Sequence, residues 1–495
     1  MNMSQLLFNS AEKYPKDEFI FFQNKVLTYG SIAEKVKEKA SGLRQYGIKN
    51  GSHVALMMGN KPEYIIAYFS LLSLGATVIP INPTFRQKEI TYILNDSDAE
   101  AVIADENAIE SVKSARPSLN TVKMVISITE SKHCIHWSKV NGHNKDFFLE
   151  EKALDDTAQI IYTSGTTGSP KGAVITHGNL KWMTKTCTEM NSLTKEDRIL
   201  VVLPIFHAYA KLQGLWQAVN KGCKVYLEER FVPEPILHRL ADNKITIFLG
   251  VPTMYTMFLA VPSIYQLDFS NLRIAGSGGA SLPLETIDKV REVMGVVLRE
   301  GYGQTESTVM ISCFPPNVER RHGSVGLPLP GIELKVIDPA GREVPTGEVG
   351  EIIFRGPNAM KGYYKKELET KETIKDGWVY TGDLAKRDEN GYLYIVDRKK
   401  DMIIRGGYNV YPREIEEVLY THPNIVECAV LGESDPVFGE EIAAYLVVNN
   451  DIGPEDIKAF CKQKLARYKV PKNIYFRESL PKNATGKILK APLKN

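Results

Sequence analysis

The segment GSHVALMMGNKPEYIIAYFSLLSLGATVIPINPTFRQKEITYILNDSDAEAVIA, residues 51–104, alternates between two periods. HVALMM, ATVIPI and AEAVIA are apolar runs of strand length, while Pro62 to Leu74 and Gln87 to Asn95 read as helices. Strand, helix, strand, helix, strand predicts crossover units and a mostly parallel sheet covered on both faces. A second series begins at VITH and continues through DRILVVLPI, KVYLEE, KITIFLG and LRIAGSG, with helical stretches between them. Each run closes in Gly, Pro or a polar group, which is where parallel sheets place their ligands.

Past about residue 325 the texture changes. ELKVID, GEIIFRG and YLYIVD, parted by Gly and Asp turns, predict a smaller twisted sheet or distorted barrel. The polar run DRKK, Asp397 to Lys400, then interrupts. Beyond it an amphipathic helix from Pro412 to Tyr420, the strands VECAVLG and EIAAYLVV, a helix from Pro454 to Ala466 and the strand NIYFRES make a compact α+β unit. The expectation is an α/β chain with a large N-terminal region of stacked, mostly parallel sheets plus a small distorted β-barrel, residues 1–396. A hinge over 397–400 joins it to a mobile C-terminal α+β domain, 401–495.

The chain has 495 residues, 43% of them hydrophobic, enough for several large cores. Lys and Arg number 61 against 59 Asp and Glu, so no strong single-sign field favours nucleic acid or an anionic membrane. The start, MNMSQLLFNSAEKYPKDEF, mixes acid and lysine into its apolar residues and reads as neither signal peptide nor anchor. Gly75 and Pro80 punctuate the stretch YIIAYFSLLSLGATVIPI, which reads as buried helix and strand rather than a membrane span. Peripheral membrane contact at most is expected, and a homodimer is compatible with the composition. Six cysteines lie at least 33 residues apart, which argues against a CxxC motif and fits free thiols in a reducing cytoplasm. His133, Cys134, His136 and His143 fall in a polar excursion between core elements, a weak metal signal.

Between AQIIYT and AVITH lies YTSGTTGSPKG, Tyr162 to Gly172. An apolar run emptying into glycines and hydroxyls predicts a loop whose backbone N–H groups wrap phosphate oxygens, with Lys171 as point charge. The common nucleotide-triphosphatase loop needs GK followed by Ser or Thr. Here Pro170 precedes and Gly172 follows the lysine, so a different ATP-handling site is implied. Alone, such a segment reads equally as a flexible turn.

Its companions are EGYGQTES (Glu300 to Ser307), YTGDLA (Tyr380 to Ala385), DRKKDMIIRGGYNVYPREIEE (Asp397 to Glu417) and LPKNATGKILK (Leu480 to Lys490). In this order and spacing the chain resembles the adenylate-forming acyl-CoA ligases, and most closely their bacterial fatty-acid:CoA ligases, over essentially its whole length. The resemblance implies ATP and Mg2+, with coenzyme A as co-substrate, and conversion of a fatty acid first to acyl-adenylate and then to acyl-CoA.

Carried over residue by residue, the resemblance assigns Thr163, Ser164, Gly165, Thr166, Thr167, Gly168 and Lys171 to the β and γ phosphates. Gly278, Gly279 and Ala280 line the adenine and acyl pockets. In the segment Glu300, Gly301, Tyr302, Gly303, Thr305 and Glu306, Tyr302 lies against adenine, Thr305 near the α phosphate and Glu306 on Mg2+. Asp383 accepts the ribose hydroxyls and Arg398 reaches the ribose or phosphate. Lys487 bridges the attacking carboxylate and the α phosphate, and its surroundings are basic: ten Lys or Arg and one acid between Lys462 and Lys494. The family usually follows this lysine with KRxLR, whereas here Ala491 and Pro492 follow Lys490, which bears on how the tail docks.

His207, in LPIFHAYAKL, has the right chemistry for a general base. A carboxylic acid of pKa about 4 to 5 needs no base at neutral pH, so positioning is the expected role. His207, Tyr209, Gly214, Gly278 and Met310 are expected to set the acyl pocket. Lys400 is the expected pivot that brings Arg405 to Asn409 toward the thiol. An aryl or other small-acid:CoA ligase, or an adenylation enzyme loading a carrier protein, shares the same ATP motifs. A non-enzymatic nucleotide-binding role would fit only if Lys487, Glu306 or Thr305 were missing.

Overall fold

The computed structural model describes residues 1–163, 170–279, 282–315, 318, 320–450, 452–483 and 486–494. Two large sheets dominate. In the first the spatial order is 362–363, 171–176, 157–163, 77–80, 53–57, 101–104, 124–127 and 135–136. From 157–163 through to 135–136 neighbouring strands are parallel, and 171–176 and 362–363 extend the sheet antiparallel. In the second the order is 327–328, 312–313, 298–302, 274–277, 247–250, 198–201, 224–227, 18–22 and 25–28. Its middle, from 298–302 to 18–22, is parallel throughout.

The two-residue period of the strand His53–Met57 sorts its side chains between two cores. Val54 and Leu56 join a core shared with Ile199, Val225 and Phe248 of the second sheet. Ala55 and Met57 face the opposite way, onto Ile90, Ile93 and Leu94 of the helix Gln87–Asp96. That helix is apolar along one stripe, so one face is buried. The helix Pro62–Ser73 is apolar all round and is buried all round, with Pro62 at its first turn. Its Tyr68 and Phe69 meet Trp216 edge-on, at ring-centroid separations of 5.9 and 5.1 Å.

A third, antiparallel sheet is built from Glu333–Ile337, Gly350–Arg355, Trp378–Arg387, Leu393–Arg398 and Ile374–Lys375. Beyond it Ile403–Arg405, Tyr408–Val410, Ile425–Asp435 and Gly439–Val448 pair antiparallel, and Asn473–Phe476 adds a parallel strand. This C-terminal α+β domain has its own core, which includes Ile415 and Leu419 from one helix and Ile457 and Cys461 from the other. The atypical tail docks here: Lys490 Nζ lies 2.8 Å from Glu416, and Leu493 is buried beside Leu431 and Tyr445. Among the described residues no helix is long and apolar enough to cross a membrane.

The parallel strands of the second sheet begin along one edge, where Asp197 is 3% exposed. It accepts hydrogen bonds from Arg273 Nε at 2.8 Å and Nη2 at 2.6 Å, from Thr246 Oγ1 at 2.7 Å and from Thr194 N at 2.9 Å. These contacts hold its carboxyl below the usual range despite burial. Replacing Arg273 by Ala leaves the buried carboxylate with only Thr246 and Thr194 and is expected to cost roughly 2 kcal/mol, between the values for an exposed and a fully buried pair because the arginine is part-exposed. Thermal melts should show a lowered midpoint with turnover at 25 °C unchanged. An unchanged midpoint would mean that the pair does not tie these strands together.

Candidate active site

At the opposite edge the parallel strands end, and the motif residues collect there. Strand 298–302 delivers Tyr302, strand 274–277 delivers Gly278 and Gly279, and strand 198–201 leads to His207. Backbone geometry explains the glycines where space is tightest. A Cβ on Gly303 would stand 2.1 Å from the Val309 carbonyl oxygen, so the turn after Tyr302 admits no side chain there. A Cβ on Gly278 would stand 3.0 Å from the Tyr209 ring.

Asp383 and Arg398 are direct cross-strand partners in the third sheet, and Arg398 Nε lies 3.5 Å from Asp383 Oδ1. Tyr302 Oη donates to Asp383 Oδ2 at 2.7 Å. Burial raises the Asp383 carboxyl, and Arg398, Tyr302 and Lys487 oppose that rise. Lys487 arrives from the far end of the chain on the turn that follows Asn483. Its N–H donates to Asn483 Oδ1 at 2.9 Å, and Gly486 bends the turn at φ +84. A Cβ on Gly486 would touch Thr253 Oγ1 at 3.0 Å and Val251 at 3.5 Å, so this C-terminal turn packs on the end of strand 247–250. Burial, then Arg398, pushes the Lys487 ammonium down to about 8, against the pull of Asp383 and Asp401.

His207 caps the turn that follows it, with Nδ1 accepting from Tyr209 N at 3.4 Å. Burial, Lys211 and Lys487 push the imidazole down to about 4, so it is neutral at pH 7. Thr305 and Glu306 lie in a single 3-10 turn, Thr305–Ser307. Glu306 Oε1 accepts from Tyr363 Oη at 2.8 Å, and Lys171 Nζ sits 5.1 Å from the centroid of the Tyr363 ring. Tyr363 is placed there by the edge strand 362–363, which pairs with the lysine's own strand. Lys171 therefore rests on an aromatic face beside Glu306. Glu306 and Thr305 both carry oxygen donors, the kind a hard cation takes. Among the described residues no three His, Cys, Asp or Glu cluster as a metal site.

The other expected residues are less central. Thr163 Oγ1 donates to the Lys171 carbonyl at 3.4 Å. Glu300 is buried, accepts from Leu282 N at 3.4 Å, and has Arg413 and Glu417 as charged neighbours; burial pushes it up to about 7. A Cβ on Gly301 would meet Met310 Cε at 3.1 Å, and one on Gly214 would meet Val201 at 2.4 Å. Ser164, Gly165, Thr166, Thr167, Gly168 and Ala280 lie outside the described residues.

The chain from Asp397 onward is clasped to the third sheet. Asp397 accepts from Arg413 N at 2.9 Å, and Arg413 Nη1 donates to the Ile395 carbonyl at 2.8 Å. Two further features went unread in the sequence. Tyr363 lies within a plain KGYY run, residues 361–364, with no motif around it. Lys211 interrupts the otherwise uncharged run AYAKLQGLWQAV, and that lone charge was the available signal. Lys211, Gln159, Thr305 and Trp216 line a narrow cavity of about 10 Å3 between the two large sheets.

The chain matches the AMP-binding enzyme family over residues 7–364 and the AMP-binding enzyme C-terminal domain over 414–487. It is 33% identical to a long-chain-fatty-acid–CoA ligase of Bacillus subtilis, covering 99% of this chain and 94% of that protein. It is 35% identical to a feruloyl-CoA synthase of Amycolatopsis, covering 94% and 93%. Among solved structures it resembles the o-succinylbenzoate coenzyme A synthetase of Bacillus subtilis in complex with ATP and magnesium ion, with a TM-score of 0.88, 29% identity and coverage of 99% of both chains. The strand-end cluster of Tyr302, Thr305, Glu306, Asp383 and Lys487 thus sits in a chain that belongs to the AMP-binding, adenylate-forming enzymes and uses ATP, Mg2+ and coenzyme A as an AMP-forming acid–CoA ligase.

Proposed function

We propose that the acid this ligase activates is a fatty acid. The observation that supports the reading is the full-length likeness to the long-chain-fatty-acid–CoA ligase of Bacillus subtilis; the side chains beside Thr305, Ile161, Ile175, Leu180 and Leu212, are apolar, around a void of about 10 Å3. Each methylene buried against such side chains contributes about 0.8 kcal/mol. An aryl acid is the second reading, supported by the likeness to the feruloyl-CoA synthase.

In the first half-reaction a carboxylate oxygen bonds to the α phosphorus of ATP. The bond from that phosphorus to the bridging oxygen breaks, and pyrophosphate leaves with the electron pair. No proton moves and no protein nucleophile is needed, so the protein contributes position and charge. We assign Lys487 to the approach of the two anions and Tyr302 with Asp383 to the nucleoside. Thr305 is assigned to the α phosphate and neutral His207 to the wall beside the carboxylate. Glu306 would hold Mg2+, which supplies charge neutralisation on the phosphates when bound. In the second half-reaction the CoA sulfur bonds to the acyl carbon, the bond to the AMP oxygen breaks, and the thiol proton passes to solvent. Lys487 fills the cleft from the C-terminal side, so this step is assigned to a second orientation. In it residues 401–495 turn about 397–400, with Lys400 as pivot, and bring Arg405 to Asn409 toward the thiol.

Pyrophosphate release should rise along the series from acetate to palmitate, and acyl-CoA should form only with CoA present. Preference for benzoate or ferulate over every alkanoate would replace the fatty-acid reading with the aryl one. Lys487→Ala is expected to slow adenylation on the order of a hundredfold or more while sparing transfer from preformed acyl-adenylate to CoA. Equal loss in both half-reactions would refute that division of labour. With the Lys487 ammonium held down to about 8, the cation is complete below that pH and lost above it. The adenylation kcat/KM for ATP should therefore fall as pH rises through about 8, and a flat profile into alkaline pH would remove the lysine from that step. Glu306→Gln should raise the KM for Mg·ATP on the order of tenfold and leave the acid term nearly unchanged. The reverse pattern in substrate titrations would move Glu306 to the acyl side.

A further inference from the structure

Two consecutive residues just past Glu306 have left-handed backbone without being glycine: Thr308 at φ +49 and Val309 at φ +92. Both are β-branched, and such side chains are strained in this region. The conformation persists only where the surroundings over-determine it. Much of that hold comes from one segment, 357–363, which crosses the turn and ends in the edge strand Gly362–Tyr363. Asn358 is fully buried, and its Nδ2 donates to the Ser307 carbonyl at 3.2 Å and to the Met310 carbonyl at 2.9 Å, one on each side of the strained pair. Thr308 Oγ1 donates back to the Asn358 carbonyl at 2.8 Å. Met360 N donates to the Glu306 carbonyl at 2.8 Å, and Tyr363 Oη to the Glu306 carboxylate at 2.8 Å.

The segment is itself anchored. Asn179, in the helix His177–Met190, donates to the carbonyls of Pro357 at 2.7 Å and Ala359 at 3.0 Å. Lys361 N donates to the Val174 carbonyl at 3.0 Å, Tyr364 N to the Gly172 carbonyl at 2.8 Å, and Tyr363 N to Thr370 Oγ1 at 2.9 Å. Packing alone does not account for the residue types. Phe in place of Tyr363 would keep the ring beside Lys171, and Leu in place of Asn358 would fill a similar volume. What both would lose are the donors aimed at the turn that carries Thr305 and Glu306.

We propose that residues 357–363 are a positioning strap for the nucleotide site, in which Asn358 fixes the backbone that presents Thr305 and Glu306, and Tyr363 fixes the Glu306 carboxylate. The inference rests on the assignment of Thr305 to the α phosphate and Glu306 to Mg2+, and adds the residues that hold both. Without Asn358 the pair 308–309 relaxes toward negative φ, which redirects the chain around Glu306. Without the Tyr363 hydroxyl the carboxylate is free to rotate about its own side-chain bonds. Partners of this kind set the affinity for a metal without touching it.

ATP binding to the full chain is measured by calorimetry across a Mg2+ series and in the presence of a chelator, beside thermal melts and steady-state kinetics. Tyr363→Phe should raise the Mg2+ concentration that half-saturates the ATP response by roughly tenfold, the lower end for loss of an outer partner. Its ATP binding without Mg2+, its KM for the acid and its melting midpoint should stay nearly unchanged. In Glu306→Gln, which shifts the Mg2+ dependence by itself, adding Tyr363→Phe should change nothing further. Asn358→Leu should weaken ATP binding with and without Mg2+, because Thr305 moves along with Glu306. If that variant does not melt cooperatively, Tyr363→Phe and the double variant carry the test. Wild-type Mg2+ dependence in Tyr363→Phe, an undiminished effect in the Glu306→Gln background, or wild-type ATP affinity in a folded Asn358→Leu enzyme would each overturn the inference and leave Glu306 assigned. A Mg2+ dependence unmoved by Glu306→Gln itself would instead bring down that assignment and the strap with it.

Discussion

Parallel strands that share a sheet must all end on the same edge, and the loops that leave them cannot hydrogen-bond to one another as strands do. In the second large sheet that constraint separates two kinds of polar residue. At the starting edge Arg273 and Thr246 both donate to Asp197 and tie neighbouring strands together. At the finishing edge Tyr302, Gly278 and the lead into His207 face a cleft with capacity left over. The third sheet and the C-terminal domain close over that second edge, supplying Asp383 and Arg398 from one and Lys487 from the other.

Burial then sets the chemistry of the cleft. It raises Asp383 and lowers Lys487, and each opposes the shift of the other, with Arg398 and Tyr302 also holding Asp383 down and Asp401 also holding Lys487 up. A lysine held near neutrality between Arg398 and Asp383 has a strong demand for anions. That suits a step in which a carboxylate and a phosphate must approach one another. His207 shows the opposite outcome: burial, with two lysines nearby, pushes its imidazole down to about 4, so it is neutral at pH 7. Glu306 and Lys171 are joined through Tyr363, whose hydroxyl donates to Glu306 and whose ring faces the lysine.

Much of this was legible from residue order. The alternation over residues 51–104 foretold the first parallel sheet because apolar period and strand length are local properties. The five motifs placed the chain among the adenylate-forming enzymes, since glycine turns and their hydroxyls must be contiguous to wrap a phosphate. Less visible was the antiparallel edge: AVITH reads as one more strand, and only its pairing shows that 171–176 turns back on 157–163 and carries Tyr363 beside Lys171. Lys211 was passed over for a related reason, since a lone lysine in an apolar run is ordinarily a solvated one.

The amino-acid order by itself determined the sheet-and-helix alternation, the glycine positions and the identity of the chemical groups, because each follows from a few adjacent residues. Tertiary structure alone decided which groups meet and how dry the meeting place is. Asp383 reaches Tyr302 across 81 positions of sequence, and Lys487 reaches the end of strand 247–250 from the C-terminal domain. Such contacts, and the shifts in proton affinity that come with them, depend on how whole sheets pack and exclude water, which no local pattern encodes.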